Sequence, residues 1–163
     1  MGEQWVLNAS PLIVLAQINQ IDLVPALADA VVVPGDVVSE IEAGPPDDPA
    51  RLYLETGDLS VVEAPPPTAE LLAWDLGRGE TAVLSYARHH PNWTAIIDDK
   101  AARKCARSFS VRVKGTLGVI ILARQRGLIP SATELLRELR RNGFRLDDRL
   151  IRETLRRTVG EAW

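Results

Sequence analysis

The stretch Thr94-Ala95-Ile96-Ile97-Asp98-Asp99-Lys100-Ala101-Ala102-Arg103-Lys104-Cys105-Ala106 decides the fold. Thr94 to Ile97 shows no polar alternation, which predicts a strand buried on both faces. Lys100 to Ala106 consists largely of good helix formers and predicts a helix. Two adjacent carboxylates therefore stand where a strand passes into a helix. In an open parallel sheet, that edge is where ligands bind. Two readings of the pair stay open from these residues alone. In one, Asp99 caps the following helix and Asp98 is solvated. In the other, two like charges side by side are compensated by a divalent cation such as Mg²⁺, which takes carboxylate oxygens.

Working outward, the same alternation recurs. Gln4 to Leu7 predicts a strand ended by Asn8-Ala9, and Ser10-Pro11 predicts a helix start with Ser10 as cap and proline in the first turn. Ala30 to Val33 is a second β-branched run, stopped by Pro34 and followed by a helix bearing Glu40. Leu59 to Val62 predicts a third strand. Gly77-Arg78-Gly79 is expected to break the chain before a helix from Glu80 to His89. Val111 to Val113 predicts a further strand, and Gly115-Thr116-Leu117-Gly118 opens an apolar helix. Ser131 and Asp147 each cap a helix in an Arg-rich C-terminal part that begins at about residue 131. Strands alternating with helices predict a single α/β domain over residues 1–163, with a mainly parallel sheet and helices on both faces. Pro65-Pro66-Pro67 reads as a stiff connector within that domain.

The 163 residues suit one hydrophobic core, and 46% apolar content is too high for a disordered chain. No apolar run approaches the roughly 20 residues of a membrane span, and no basic-then-apolar leader is seen, so a cytoplasmic protein is expected. A single cysteine, Cys105, excludes an internal disulfide and a cysteine-based zinc site. Net charge is −3, but residues 1–99 hold 3 basic and 16 acidic side chains, and residues 100–163 hold 16 basic and 6 acidic. A basic half beside an acidic cluster suits a polyanion held over a metal site. Pairing between the halves and solvated helix faces would explain the same distribution.

Asn8 ends the first strand, Glu40 lies about two turns into the helix after the second, Glu80 begins a helix, and Asp98-Asp99 ends a later strand. Parallel strands carry such positions to one edge of the sheet. Carboxylates converging there would hold one or two Mg²⁺ or Mn²⁺ ions, which can activate water and stabilise phosphodiester oxygens.

The ordered strings VLNASPLIVLAQI, EI at Glu40-Ile41, GRGE ending at Glu80, IIDDKAAR from Ile96 and VKGTLGVIILAR from Val113 resemble the PIN-like family. They are closest to its branch with SPLI, GxGE and DDxxAR motifs, and the tail GLIPSATELLRELRRNGFRLDD suits that branch too. The resemblance covers nearly the whole chain and implies a three-layer α/β/α sandwich. It implies a Mg²⁺- or Mn²⁺-dependent ribonuclease of VapC type, a toxin paired with an antitoxin protein and acting on RNA, and a homodimer; the missing apolar span adds the expectation of no membrane partner. It maps the metal and catalytic residues onto Glu40, Glu80, Asp98 and Asp99, with Asn8 as a neutral metal ligand where most PIN nucleases have Asp. The doubled aspartate is then expected to supply the charge that Asn8 lacks.

Other residues carry accessory expectations. Ser10 reads first as a helix cap and, by the resemblance, as a group at the rim of the metal site. Thr116 reads first as the cap of its own helix, and otherwise as a hydroxyl holding a metal-bound water. Arg103, four residues after Asp99 on one helix face, is expected in a local ion pair or against a phosphate. Lys104, Arg107, Arg112 and Lys114 would extend a surface for RNA, with solvation of each as the plainer reading. His89-His90 lies at a helix end, where the helix dipole favours cations, and receives no catalytic role. Trp74 and Trp93 are expected in packing. Two other functions stay in view: a catalytically inactive PIN-like module that binds RNA or a protein, which Asn8 favours, and a receiver-like signalling domain, which would want an acidic pair at Asn8-Ala9.

Overall fold

In the computed structural model, which describes residues 2–163, strand β1 (Glu3–Leu7) lies at the middle of the sheet. It pairs in parallel with β2 (Ala28–Pro34) on one side and β4 (Trp93–Ile96) on the other. Beyond them lie β3 (Ser60–Val62), parallel to β2, and β5 (Val113–Lys114), parallel to β4. The order is β3-β2-β1-β4-β5, with helices on both faces. The central strands are apolar without alternation because both faces are covered: Trp5, Val6, Leu7, Ala95 and Ile96 are fully buried.

The chain leaves β1 through helices α1 (Ala9–Gln17) and α2 (Leu23–Leu27), and leaves β2 through α3 (Gly35–Glu42) and α4 (Pro49–Glu55). After β3 come α5 (Ala69–Leu72) and α6 (Arg78–His89), and after β4 comes α7 (Lys100–Ser108). Helices α8 (Thr116–Gln125), α9 (Ala132–Arg141) and α10 (Asp148–Thr158) complete the chain. Helix α6 lies on β1, β2 and β4 and packs against α3, whereas α8 packs on α2, α9 and α10. Amphipathic spacing explains the later helices: Ala102, Cys105 and Ala106 face inward on α7, and Ile151 and Leu155 on α10. No helix among the described residues is long and apolar enough to cross a membrane.

Two expectations about helix starts are corrected. Helix α1 begins at Ala9, so its cap position is Asn8 and Ser10 lies inside the first turn. The chain turns into the helix directly from the strand, because the Asn8 amide still bonds to the Ile96 carbonyl at 3.0 Å. The Gly77-Arg78-Gly79 break is instead the start of α6: Gly77 is its cap position and Gly79 is helical.

The sheet order reverses direction between β1 and β4. Such a switch point opens a crevice at the carboxyl ends of the two strands. Asn8 and the Asp98-Asp99 pair stand at those ends.

Candidate metal centre at the sheet edge

Asn8 is 4% exposed, and its Oδ1 is the one buried side-chain polar atom among the described residues that has no hydrogen-bond partner. An orphaned buried oxygen is costly, on the order of 1–3 kcal/mol, and calls for a ligand or a water. Across from it stands Glu80, in the first turn of α6. Burial pushes the Glu80 carboxyl above its ordinary range, and the charges of Asp99 and Glu40 push it further. Its own backbone amide and the Asn8 side chain pull in the opposite direction. Glu40 from α3 and Asp99 from beyond the end of β4 therefore both act on the charge of Glu80 in α6.

Two of these carboxylates are held by backbone amides. Glu40 Oε1 accepts from Gly79 N at 2.8 Å, so α3 supplies the cap that the start of α6 lacks locally. A Cβ at position 79 would stand 2.6 Å from that oxygen, which is why the close approach takes glycine. Asp99 Oδ2 accepts from Ala102 N at 2.9 Å and caps α7. The cap reading of Asp99 is thus realised, and the same side chain still acts electrostatically on Glu80.

Asp98 has a separate set of partners. Its Oδ1 accepts from Thr116 N at 2.7 Å, and its Oδ2 accepts from Thr116 Oγ1 at 2.7 Å and Ser10 Oγ at 3.3 Å. Three expectations are corrected by this arrangement. Ser10 and Thr116 do not cap their own helices, because both hydroxyls donate to Asp98. Arg103 makes no ion pair with Asp99; its Nη1 donates to the Ile97 carbonyl at 3.2 Å. Burial lowers the Arg103 pKa first, Arg107 adds to that, and Asp98 opposes it. A Cβ at Gly115 would lie 2.7 Å from Arg103 Nη1 and 2.9 Å from Asp98 Oδ1, so glycine lets these two groups flank the loop.

In these side-chain positions, no three His, Cys, Asp or Glu residues among those described are gathered closely enough to clasp one ion. The donor set nevertheless fits a hard divalent cation. It is all oxygen, it sets Glu80 against the charges of both Glu40 and Asp99, and it includes a neutral carbonyl with no partner. Asn8, Glu40, Glu80 and Asp99 are the residues that could hold the ion, with Asp98 fixed beside them.

A cleft of about 660 Å³ opens next to Asp98 and runs between α8 and α10. Lys114 and Arg103 line it, as does Lys100, which the sequence reading did not single out. Lys104, Arg107 and Arg112 are exposed but do not line it. Trp93 packs its ring edge-on against Tyr86, in agreement with a packing role.

A family model described as PIN domain matches residues 4–160. No curated protein matches the chain.

Proposed function

Since the chain belongs to the PIN-domain family, a nuclease-type fold, we propose that it is a Mg²⁺- or Mn²⁺-dependent endoribonuclease. The observation that carries this reading is the unpartnered Asn8 Oδ1 beside the crowded Glu40, Glu80 and Asp99 carboxylates. A bound divalent cation would supply Lewis-acid stabilisation of charge developing on the phosphodiester oxygens. The chain's own residues do the rest. Glu40, Glu80 and Asp99 would hold the ion, and Asn8 would add a neutral oxygen. Asp98, held by Ser10 and Thr116, fixes the end of β4 against α1 and α8 and adds its charge to the edge. Arg103 and Lys114, with Lys100, give the cleft the positive charge needed to hold a phosphate chain over an acidic site.

The test is cleavage of RNA in Mn²⁺. Glu80→Gln and Asp99→Asn each abolish it while the fold survives. Unchanged cleavage in both variants overturns the assignment. A toxin role, with an antitoxin partner and a homodimer, goes with the resemblance of the SPLI, GRGE and DDKAAR strings. Its check is growth arrest on expression that Glu80→Gln relieves.

A second reading is a PIN-domain module that binds RNA or a protein without catalysis, and Asn8 in place of a carboxylate favours it. A Mn²⁺ titration separates the two, since ion binding raises the melting temperature by mass action. A site that binds no ion leaves it flat.

A further inference from the structure

We propose that the outer edge of β3, with the cavity at its end, docks a basic, extended peptide segment of a partner protein. The site lies at the other end of the sheet from the cleft between α8 and α10, and it does not depend on the nuclease reading. Strand β3 is the last strand on its side, so the peptide groups that do not face β2 have no strand to pair with. Apart from the ladder to β2, residues 58–67 form no backbone–backbone hydrogen bond among the described residues. An open edge of this kind accepts one further strand. Val61 presents an apolar side chain there, 59% exposed.

Immediately beyond the strand, a cavity of about 380 Å³ opens between Pro65-Pro66-Pro67 on one side and Leu72 and Leu76 on the other. Its proline wall is held in place. Ser85 Oγ of α6 donates to the Pro65 carbonyl at 2.7 Å, and Arg88 Nη1 donates to Thr68 Oγ1 at 2.9 Å. The prolines stiffen the segment further, so binding has little left to order. Leu72 is 56% exposed. The cavity takes an apolar side chain, and the strand edge takes the backbone that carries it.

Charge chooses the occupant. From Leu52 to Gly77 the chain has five carboxylates, Glu55, Asp58, Glu63, Glu70 and Asp75, and no basic side chain. All five are exposed, and only Glu55 is in an ion pair among the described residues. Asp58 and Glu63 flank β3 itself, and Glu63 also lines the cavity. Arg78, the one cation lining it among the described residues, is engaged with Asp36 at 3.3 Å. Short length, flanking charge and proline keep an edge from joining another of its kind. Two copies meeting edge to edge would set Asp58 and Glu63 against the same charges. A strand that carries Lys or Arg beside an apolar anchor meets attraction instead.

The experiment uses the whole protein and a set of fluorescein-labelled peptides in which Lys or Arg alternates with Val, Leu or Trp, read by fluorescence polarisation. Each is compared with a version carrying Glu at the basic positions and with one N-methylated at alternate amides. The expected result is binding of a basic peptide, none of its acidic version, and binding about tenfold weaker once the amides are blocked. Glu63→Lys weakens binding about tenfold by opposing like charges. Leu72→Ser, at an exposed position where folding tolerates the change, weakens it about fivefold by removing apolar wall. No binding by any peptide of the set, equal binding of the N-methylated form, or binding that both substitutions leave unchanged overturns the proposal. So does binding lost in Glu80→Gln and kept in Glu63→Lys, because the peptide cations would then sit at the metal edge. A concentration-dependent dimer in sedimentation that Glu63→Lys disperses, with no peptide bound, overturns it too, because the edge would then hold a second copy.

Discussion

Glu80 and Glu161 both stand beside the start of a helix, and their surroundings are opposite. Glu161 accepts from Arg124 Nε, Ser131 Oγ and the amides of Ala132 and Thr133, and so closes the start of α9. Burial pushes its carboxyl up, but the Thr133 and Ala132 amides and the Ser131 hydroxyl outweigh that and hold its pKa down at about 2. Glu80 is also pushed up by burial, and its neighbours Asp99 and Glu40 push the same way. A carboxylate that serves stability is given donors until its charge is answered. At Glu80 the backbone amide and the Asn8 side chain answer the charge only in part, so the carboxyl stays raised, beside an oxygen on Asn8 that has no donor at all. That imperfectly balanced charge is a cost the metal-free fold carries and a bound cation would relieve.

The contrast can be broken from the stabilising side first, where the effect is largest. Glu161→Ala leaves the Ala132 and Thr133 amides and the Arg124 guanidinium without their partner. It is expected to cost about 3 kcal/mol, read as a lower urea midpoint at neutral pH. The acid dependence has a definite sign. The folded pKa lies below the ordinary 4.5, so the contribution is complete above that value. It is lost as pH falls from about 4.5 towards about 2. Urea midpoints of the parent and Glu161→Gln proteins should converge over that window, and a gap that stays constant on acidification contradicts the account.

Asn8→Asp tests the crowded side. A fourth carboxylate at this buried position should destabilise the metal-free protein by about 1–2 kcal/mol. Saturating Mn²⁺ should then raise its melting temperature more than it raises the parent's. Scanning calorimetry with and without chelator decides it, and an equal rise in both proteins means that Asn8 does not face the ion. The smallest effect sharpens the same point. Glu80→Gln removes one of the repelling charges and should stabilise the chelated protein by about 0.5 kcal/mol, solvent screening included. The same variant should lose the Mn²⁺-dependent rise. Destabilisation in chelator would show that Glu80, like Glu161, serves the fold.

Much of this was legible in the chain itself, wherever the deciding interactions are local or periodic. Continuous apolar runs marked β1, β2 and β4, because a sheet covered on both faces requires them. The Asp99, Ser131 and Asp147 caps followed from a side chain reaching an amide three residues on. Ser10 and Thr116 obeyed the same local rule on paper, and tertiary structure overrode it. Their hydroxyls donate to Asp98, 88 residues after Ser10 and 18 before Thr116. Gly79 looked like a break because the carboxylate that makes it suitable for a helix start, Glu40, lies 39 residues earlier. The cleft was illegible for a different reason. An apolar helix such as α8 reads as wholly buried, and nothing in its own residues says that α10 covers it incompletely.

The bonds at Asp98 also impose a timing. Protein synthesis proceeds from the N-terminus at roughly 5–20 residues per second. Ser10 is in place long before Asp98, but Thr116 follows it by 18 residues, a delay of about 1–4 s at that pace. Parallel pairing between distant segments is slow in any case, because long loops must close before contacts form. A growing chain therefore holds Glu40 and Glu80 without the strut that fixes the end of β4. The acidic edge becomes a defined structure only after Thr116 has been made, so translation orders the assembly of this edge in time.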